Sequence, residues 1–140
     1  MHKHIFVNLG VRDLKGSMDF FGQLGFKFDP KFTNDKAACM VLGENMYAML
    51  LTTDFMRGFT DKALVDARES TEVLTCLSCV SREEVDGLVE KALAAGGSSK
   101  RPPMECGTEM YGRSFEDPDG HIWELMYMSP AAVEKGAHGS

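Results

Sequence analysis

The segment GRSFEDPDGHIWEL, running from Gly112 to Leu125, sets two apolar runs on either side of Asp117-Pro118-Asp119-Gly120. Pro118 presets the first turn angle, Asp119 accepts the second, and Gly120 supplies the left-handed position of a three-residue hairpin loop. Strands are therefore predicted at Met110–Phe115 and His121–Met128. Loop length also sets register. Three residues place Ser114 opposite Glu124, whereas a two-residue loop would place Arg113 there, with Tyr111 sharing its face.

Upstream, a further strand is predicted at Ser98–Arg101. Before it, Gly96-Gly97 stop a helix that opens with Ser81-Arg82-Glu83-Glu84, a capping box in which Ser81 and Glu84 satisfy each other's backbone donors. Val85, Leu88, Val89, Ala92 and Leu93 line one face of that helix, and an apolar strand, Glu72–Val80, precedes it. The same order, strand, helix and three strands, occurs nearer the N-terminus. Ile5–Val11 is a compact apolar strand. Asp13 caps a helix whose Leu14, Met18, Phe21 and Leu24 recur at helical spacing until Gly25. Strands at Phe26–Phe32, Ala37–Leu42 and Met46–Thr52 follow, the last two separated by Gly43-Glu44-Asn45. Placing Leu9 on Leu77 aligns the halves with an offset of 68 residues.

The expected architecture is α+β, a single domain over 1–129 built from two βαβββ modules at about 3–53 and 71–129. The polar segment 54–70 is a linker or a flap, and 130–140 reads as a loose tail. A chain of 140 residues suffices for one such domain. Its 15 Lys and Arg against 21 Asp and Glu give a net charge of −6, which argues against nucleic acid and anionic membrane surfaces as partners. No run reaches the roughly 18 apolar residues of a membrane span. The opening MHKHIFVNLG lacks an apolar signal core, so a cytoplasmic location is expected. Of Cys39, Cys76, Cys79 and Cys106, only Cys76 and Cys79 have a suggestive spacing. On a strand, residues three apart face opposite ways and cannot share a metal or a bridge. The ten methionines point to an adaptable apolar interior or pocket.

The two βαβββ halves, the opening VRDLKGSMDFFGQLGFKF from Val11 to Phe28, and the closing GRSFEDPDGHIWEL together resemble the vicinal oxygen chelate superfamily over roughly 3–128. That superfamily includes glyoxalase I, extradiol dioxygenases, fosfomycin-modifying enzymes and bleomycin-resistance proteins. Within it the chain looks most like small bacterial proteins called predicted lactoylglutathione lyases. The resemblance implies a glyoxalase-like fold whose curved sheets form a cleft, commonly completed by a second subunit, so a homodimer is expected. In the enzymes, four strand positions hold a divalent metal that polarises substrate oxygens. Carried over residue by residue, those positions fall on Phe6, Met49 (Leu50 if the strand slips by one), Leu74 and Glu124. Three of the four carry no nitrogen or oxygen donor. A lone carboxylate does not hold a hard or borderline cation, so no metal ligand is assigned and no cofactor is expected. His4 shares a face with Phe6 but lies about 7 Å along the strand, with two neighbouring ligands still missing.

If Phe6, Met49 and Leu74 face the cleft, the site is apolar, and a few polar groups orient whatever binds. Asn8 shares the face of Phe6, Cys76 that of Leu74, and Tyr47 the alternation of Met49. Glu124 is the candidate catalytic residue, a general base or an anchor for a ligand amine. Arg113 is its candidate cationic partner, with Tyr111 beside it. Core packing competes as the role of Phe6, Met49 and Leu74, and a backbone partner competes as the role of Asn8. The favoured function is metal-independent binding of a small organic molecule, of drug or metabolite type. The alternatives are a lactoylglutathione lyase or extradiol dioxygenase-type enzyme with a non-standard metal site, and a metal-free lyase or isomerase with Glu124 as base.

Overall fold

The computed structural model describes residues 1–136. In the first module, β1 (Ile5–Val11) leads into α1 (Leu14–Gln23), whose cap is Asp13 accepting from the Gly16 amide at 3.0 Å. Gly25, at φ 98°, ends the helical turn in the left-handed region that favours glycine. Then come β2 (Lys27–Asp29), β3 (Ala37–Gly43) and β4 (Met46–Thr52), in the sheet order β1-β4-β3-β2. β1 lies parallel to β4, and the remaining pairs are antiparallel.

The second module repeats this plan. β5 (Leu74–Cys79), α3 (Arg82–Ala94), β6 (Met104–Cys106), β7 (Met110–Glu116) and β8 (Ile122–Met128) give the order β5-β8-β7-β6. The capping box forms with one shift of partner. Ser81 accepts from the Glu84 amide at 3.0 Å, while Glu84 reaches past Ser81 to the Val80 amide at 2.9 Å. The α+β class and the two βαβββ modules are those expected, and no described helix is long and apolar enough to cross a membrane.

Three expectations need correction. The strand predicted at 26–32 stops at Asp29, because Pro30 lacks an amide for the ladder and opens a 3-10 turn, Pro30–Phe32. The strand predicted at Ser98–Arg101 shrinks to a bridge between Ser98 and Glu116, and the third strand forms after Pro102-Pro103, at Met104–Cys106. The tail predicted to be loose contains α4 (Pro130–Lys135), capped by Ser129 accepting from the Ala132 amide at 3.1 Å, while 137–140 lie outside the described residues. Segment 54–70 also begins with order, a short helix α2 (Thr53–Met56) and a 3-10 turn Arg57–Phe59.

One core serves both modules. Phe20 and Phe21 of α1 are fully buried, and they reach across the module boundary to Phe115 of β7 and Trp123 of β8. Phe21 meets Trp123 edge to face, with ring centroids 5.2 Å apart, an arrangement favoured by the aromatic quadrupoles. A polar joint reinforces the contact at one end. Asp119 accepts from the Arg12 amide and from Arg12 Nε, both at 2.9 Å, and His121 Nε2 donates to the Gly10 carbonyl at 2.7 Å.

Candidate functional site

The predicted hairpin fixes which way each side chain points. Its loop closes with the Gly120 amide on the Asp117 carbonyl at 2.9 Å, and Gly120 sits at φ 93°. Ser114 therefore lies opposite Glu124, and Arg113 opposite Leu125. Trp123 and Leu125 are buried beneath the helices, so Glu124 points to the other face of the sheet. In the parallel pair beside it, Cys76 stands opposite Glu124 and Leu74 opposite Ile122. Leu74, Cys76, Ser114 and Glu124 thus share one outward face.

The first module has the matching face. Leu9, Val11, Ala48 and Leu50 are buried in the core, which turns Phe6, Asn8, Tyr47 and Met49 outward. Asn8 lies opposite Met49, as its counterpart Cys76 lies opposite Glu124. That equivalence selects Met49, and not Leu50, as the module-one partner of Glu124. Phe6 and Tyr47 stack with centroids 4.9 Å apart and planes 13° off parallel, and His4 extends the stack beyond them. Phe6 remains 51% exposed and Leu74 53%, so neither is a core side chain within one chain.

Tyr111 and Arg113 do not belong to this face. Both point to the helix side, where the Tyr111 hydroxyl and Arg113 Nη1 donate to Asp86 of α3, the latter at 3.0 Å. Their nomination as partners of Glu124 is corrected by the three-residue loop, which sets their alternation one residue out of phase with Glu124. Ser114 takes the place opposite Glu124 and was legible from the same loop. Glu124 itself makes no hydrogen bond or ion pair among the described residues. Burial, and then the charge of Glu124, push the Cys76 thiol up from its ordinary value, which keeps it protonated and a poor nucleophile at neutral pH.

The two half-sites stay apart in one chain, since no extensive packing joins β1 or β4 to β5 or β8. A cavity of about 860 Å³ does lie between the modules, but of the nominated residues it includes only Asn8. Met56, Leu64, Val73 and Ile122 line it, and segment 54–70 contributes many of the other lining residues. The scattered apolar residues of that otherwise polar segment were its only sequence signal.

The family-type divalent metal does not fit these residues. Phe6, Met49 and Leu74 offer no hard donor, and among the described residues no three His, Cys, Asp or Glu side chains gather to hold an ion.

Comparison with known proteins agrees with the fold. A family model described as Glyoxalase/Bleomycin resistance protein/Dioxygenase superfamily matches residues 3–125. Among solved structures, a hypothetical protein from S. aureus is 30% identical, with a TM-score of 0.77 over 91% of this chain and 94% of that one. A glyoxalase-related enzyme from Fulvimarina pelagi is 24% identical, with a TM-score of 0.75 over 91% and 88%. The fosfomycin resistance protein FosX from Listeria monocytogenes is 20% identical, with a TM-score of 0.68 over 94% and 97%. No curated protein matches. The chain belongs to the glyoxalase/bleomycin resistance protein/dioxygenase superfamily.

Proposed function

We propose that the protein binds a small, largely apolar organic molecule between the outward face of module one and the outward face of module two of a second copy, without a divalent metal. One observation carries this reading. Three of the four positions that the resemblance equates with metal ligands are Phe6, Met49 and Leu74, and Phe6 and Leu74 are more than half exposed on the sheet faces. Large rings and aliphatic groups in that setting favour contact with an apolar partner surface, by roughly 25 cal/mol for each Å² removed from water. The Phe6–Tyr47 stack offers a flat platform for it. Glu124, with no partner of its own, accepts a hydrogen bond from an amine or amide of the bound molecule. Asn8, whose side-chain amide now donates to the Phe6 carbonyl at 3.3 Å, supplies a second polar contact.

Metal analysis of protein purified without chelator is the deciding test. The expected result is no stoichiometric Mn, Fe, Ni or Zn, with an organic molecule released on denaturation and identified by mass spectrometry. One tightly held equivalent of such a metal per chain would overturn the proposal in favour of a metal enzyme with a non-standard site.

A further inference from the structure

We propose that the outward face of β6, β7 and β8 binds a soft monovalent metal ion, copper(I), through Cys106, Met110 and Met128. Because Tyr111 and Arg113 turn toward Asp86 on α3, the alternate residues of β7, Met110 and Gly112, turn the other way. The ladder sets Cys106 opposite Met110 and Met110 opposite Met128, so three sulfur side chains form a row across three adjacent strands. Directly opposed residues have Cβ atoms roughly 4.5–5.5 Å apart, and Cys106 and Met128, two strands apart at roughly 10 Å, flank Met110, so an ion above Met110 is reached from both sides once the flexible thioether arms converge.

A second row runs beside the first. Met104 lies opposite Gly112 and Gly112 opposite Met126. The Met126 sulfur sits 3.2 Å from where a Cβ on residue 112 would stand, so the glycine lets this thioether lie across the sheet and offer a fourth donor. Across β6, β7 and β8 the two rows contain no side-chain oxygen or nitrogen, and the Ser78 hydroxyl of β5 stands beyond Met126. One thiolate among neutral thioethers suits copper(I), whereas zinc requires several thiolate or imidazole ligands and the hard divalent ions require oxygen donors.

Packing within the chain leaves three of these residues open. Met104 is 51% exposed, Met128 41%, and Cys106 is also exposed, while Met110 and Met126 are half-buried. The site shares the outward face with Glu124, which lies opposite Ser114 in the row next to Met126, and it uses none of the groups proposed to hold the organic molecule. Binding is a ligand exchange without electron transfer. The Cys106 thiol loses its proton to solvent as the copper–sulfur bond forms, and the methionine sulfurs donate lone pairs.

The test is an oxygen-free titration of the folded protein against the coloured copper(I) complex of bicinchoninate. The native chain is expected to withdraw one copper per chain. Cys106→Ser, and separately the volume-conserving pair Met110→Leu with Met128→Leu, should each weaken the competition by more than about tenfold, the scale on which even outer partners of metal ligands act. Cys79→Ser, at a residue buried on the helix side of β5, should leave it unchanged. With silver(I) as a redox-inert probe, the Met110 and Met128 methyl resonances should shift. The proposal fails if no copper is withdrawn, which is the result expected of a row that only packs against a second copy. It fails equally if copper stays with the Cys106→Ser protein, or if silver binds and the methionine methyls do not move.

Discussion

At Asp117 a buried carboxylate organises the closing hairpin. Its Oδ1 accepts from the amides of Asp119 and His121, both at 3.0 Å, and its Oδ2 accepts from Trp123 Nε1 at 3.1 Å. Asparagine has the same shape but replaces one acceptor with a donor. Whichever way the amide turns, its NH₂ meets either the indole N–H or two backbone N–H groups in a buried site. Asp117→Asn should therefore cost about 1–3 kcal/mol, read as an earlier urea midpoint followed by Trp123 fluorescence. Side chains of this kind show which part of the site a sequence reveals. Asp117, Pro118, Asp119 and Gly120 were readable as a turn because turn chemistry is local. The link from Asp119 to Arg12, 107 residues away in the chain, was not, because nothing near either residue encodes the other. The aromatic stack of His4, Phe6 and Tyr47 was half legible. Alternation placed the rings on one face, and the parallel register that sets Phe6 beside Tyr47 came only with the fold.

At the scale of elements, α3 is fastened to β7 by a polar cluster on the buried side of the sheet. Asp86 accepts from Tyr111 and Arg113, and the Arg82 guanidinium lies over the Tyr111 ring, 4.1 Å from its centroid. The Tyr111 hydrogen bond, helped by Arg113 against the effect of burial, holds the Asp86 carboxyl below its ordinary 3.8. The bond to Asp86, together with burial, raises the Tyr111 hydroxyl above its ordinary 10.0. The two signs bracket a plateau. The contribution of Asp86 is present above pH 3.8 and is lost as pH falls through its lowered folded value. The contribution of Tyr111 is present below pH 10.0 and is lost as pH rises through its raised folded value. Tyr111→Phe should raise the Asp86 pKa in an NMR titration, remove the alkaline limb and cost about 1 kcal/mol near neutrality, a modest figure because Asp86 is partly exposed. Elements bounded by local signals were legible here, the helix caps and the hairpin above all. β6 was not, since three residues after two prolines carry no alternation long enough to read, and their pairing with β7 comes from the sheet.

For the whole molecule, the internal repeat makes a specific statement about assembly. Within one chain the modules share the core around Phe21 and Trp123, while the faces bearing Phe6 and Leu74 remain open and apart. If a twofold pair of chains closes each module-one face with the other chain's module-two face, every dimer contains two equal clefts. A buried aspartate without a partner costs several kcal/mol, so Phe6→Asp and Leu74→Asp should each spoil both clefts of their own homodimer. Mixing the two variants has a different outcome. In the mixed dimer one cleft carries both aspartates, and the other combines a native module one with a native module two. Sedimentation velocity at micromolar concentration should therefore show mainly monomer for either variant alone and recovered dimer for the mixture. Recovery after mixing requires that the two faces come from different chains, because a cleft closed within one chain would remain spoiled in every molecule. A mixture that sediments like its separate components would remove the shared cleft, and with it the intermolecular placement of the bound molecule.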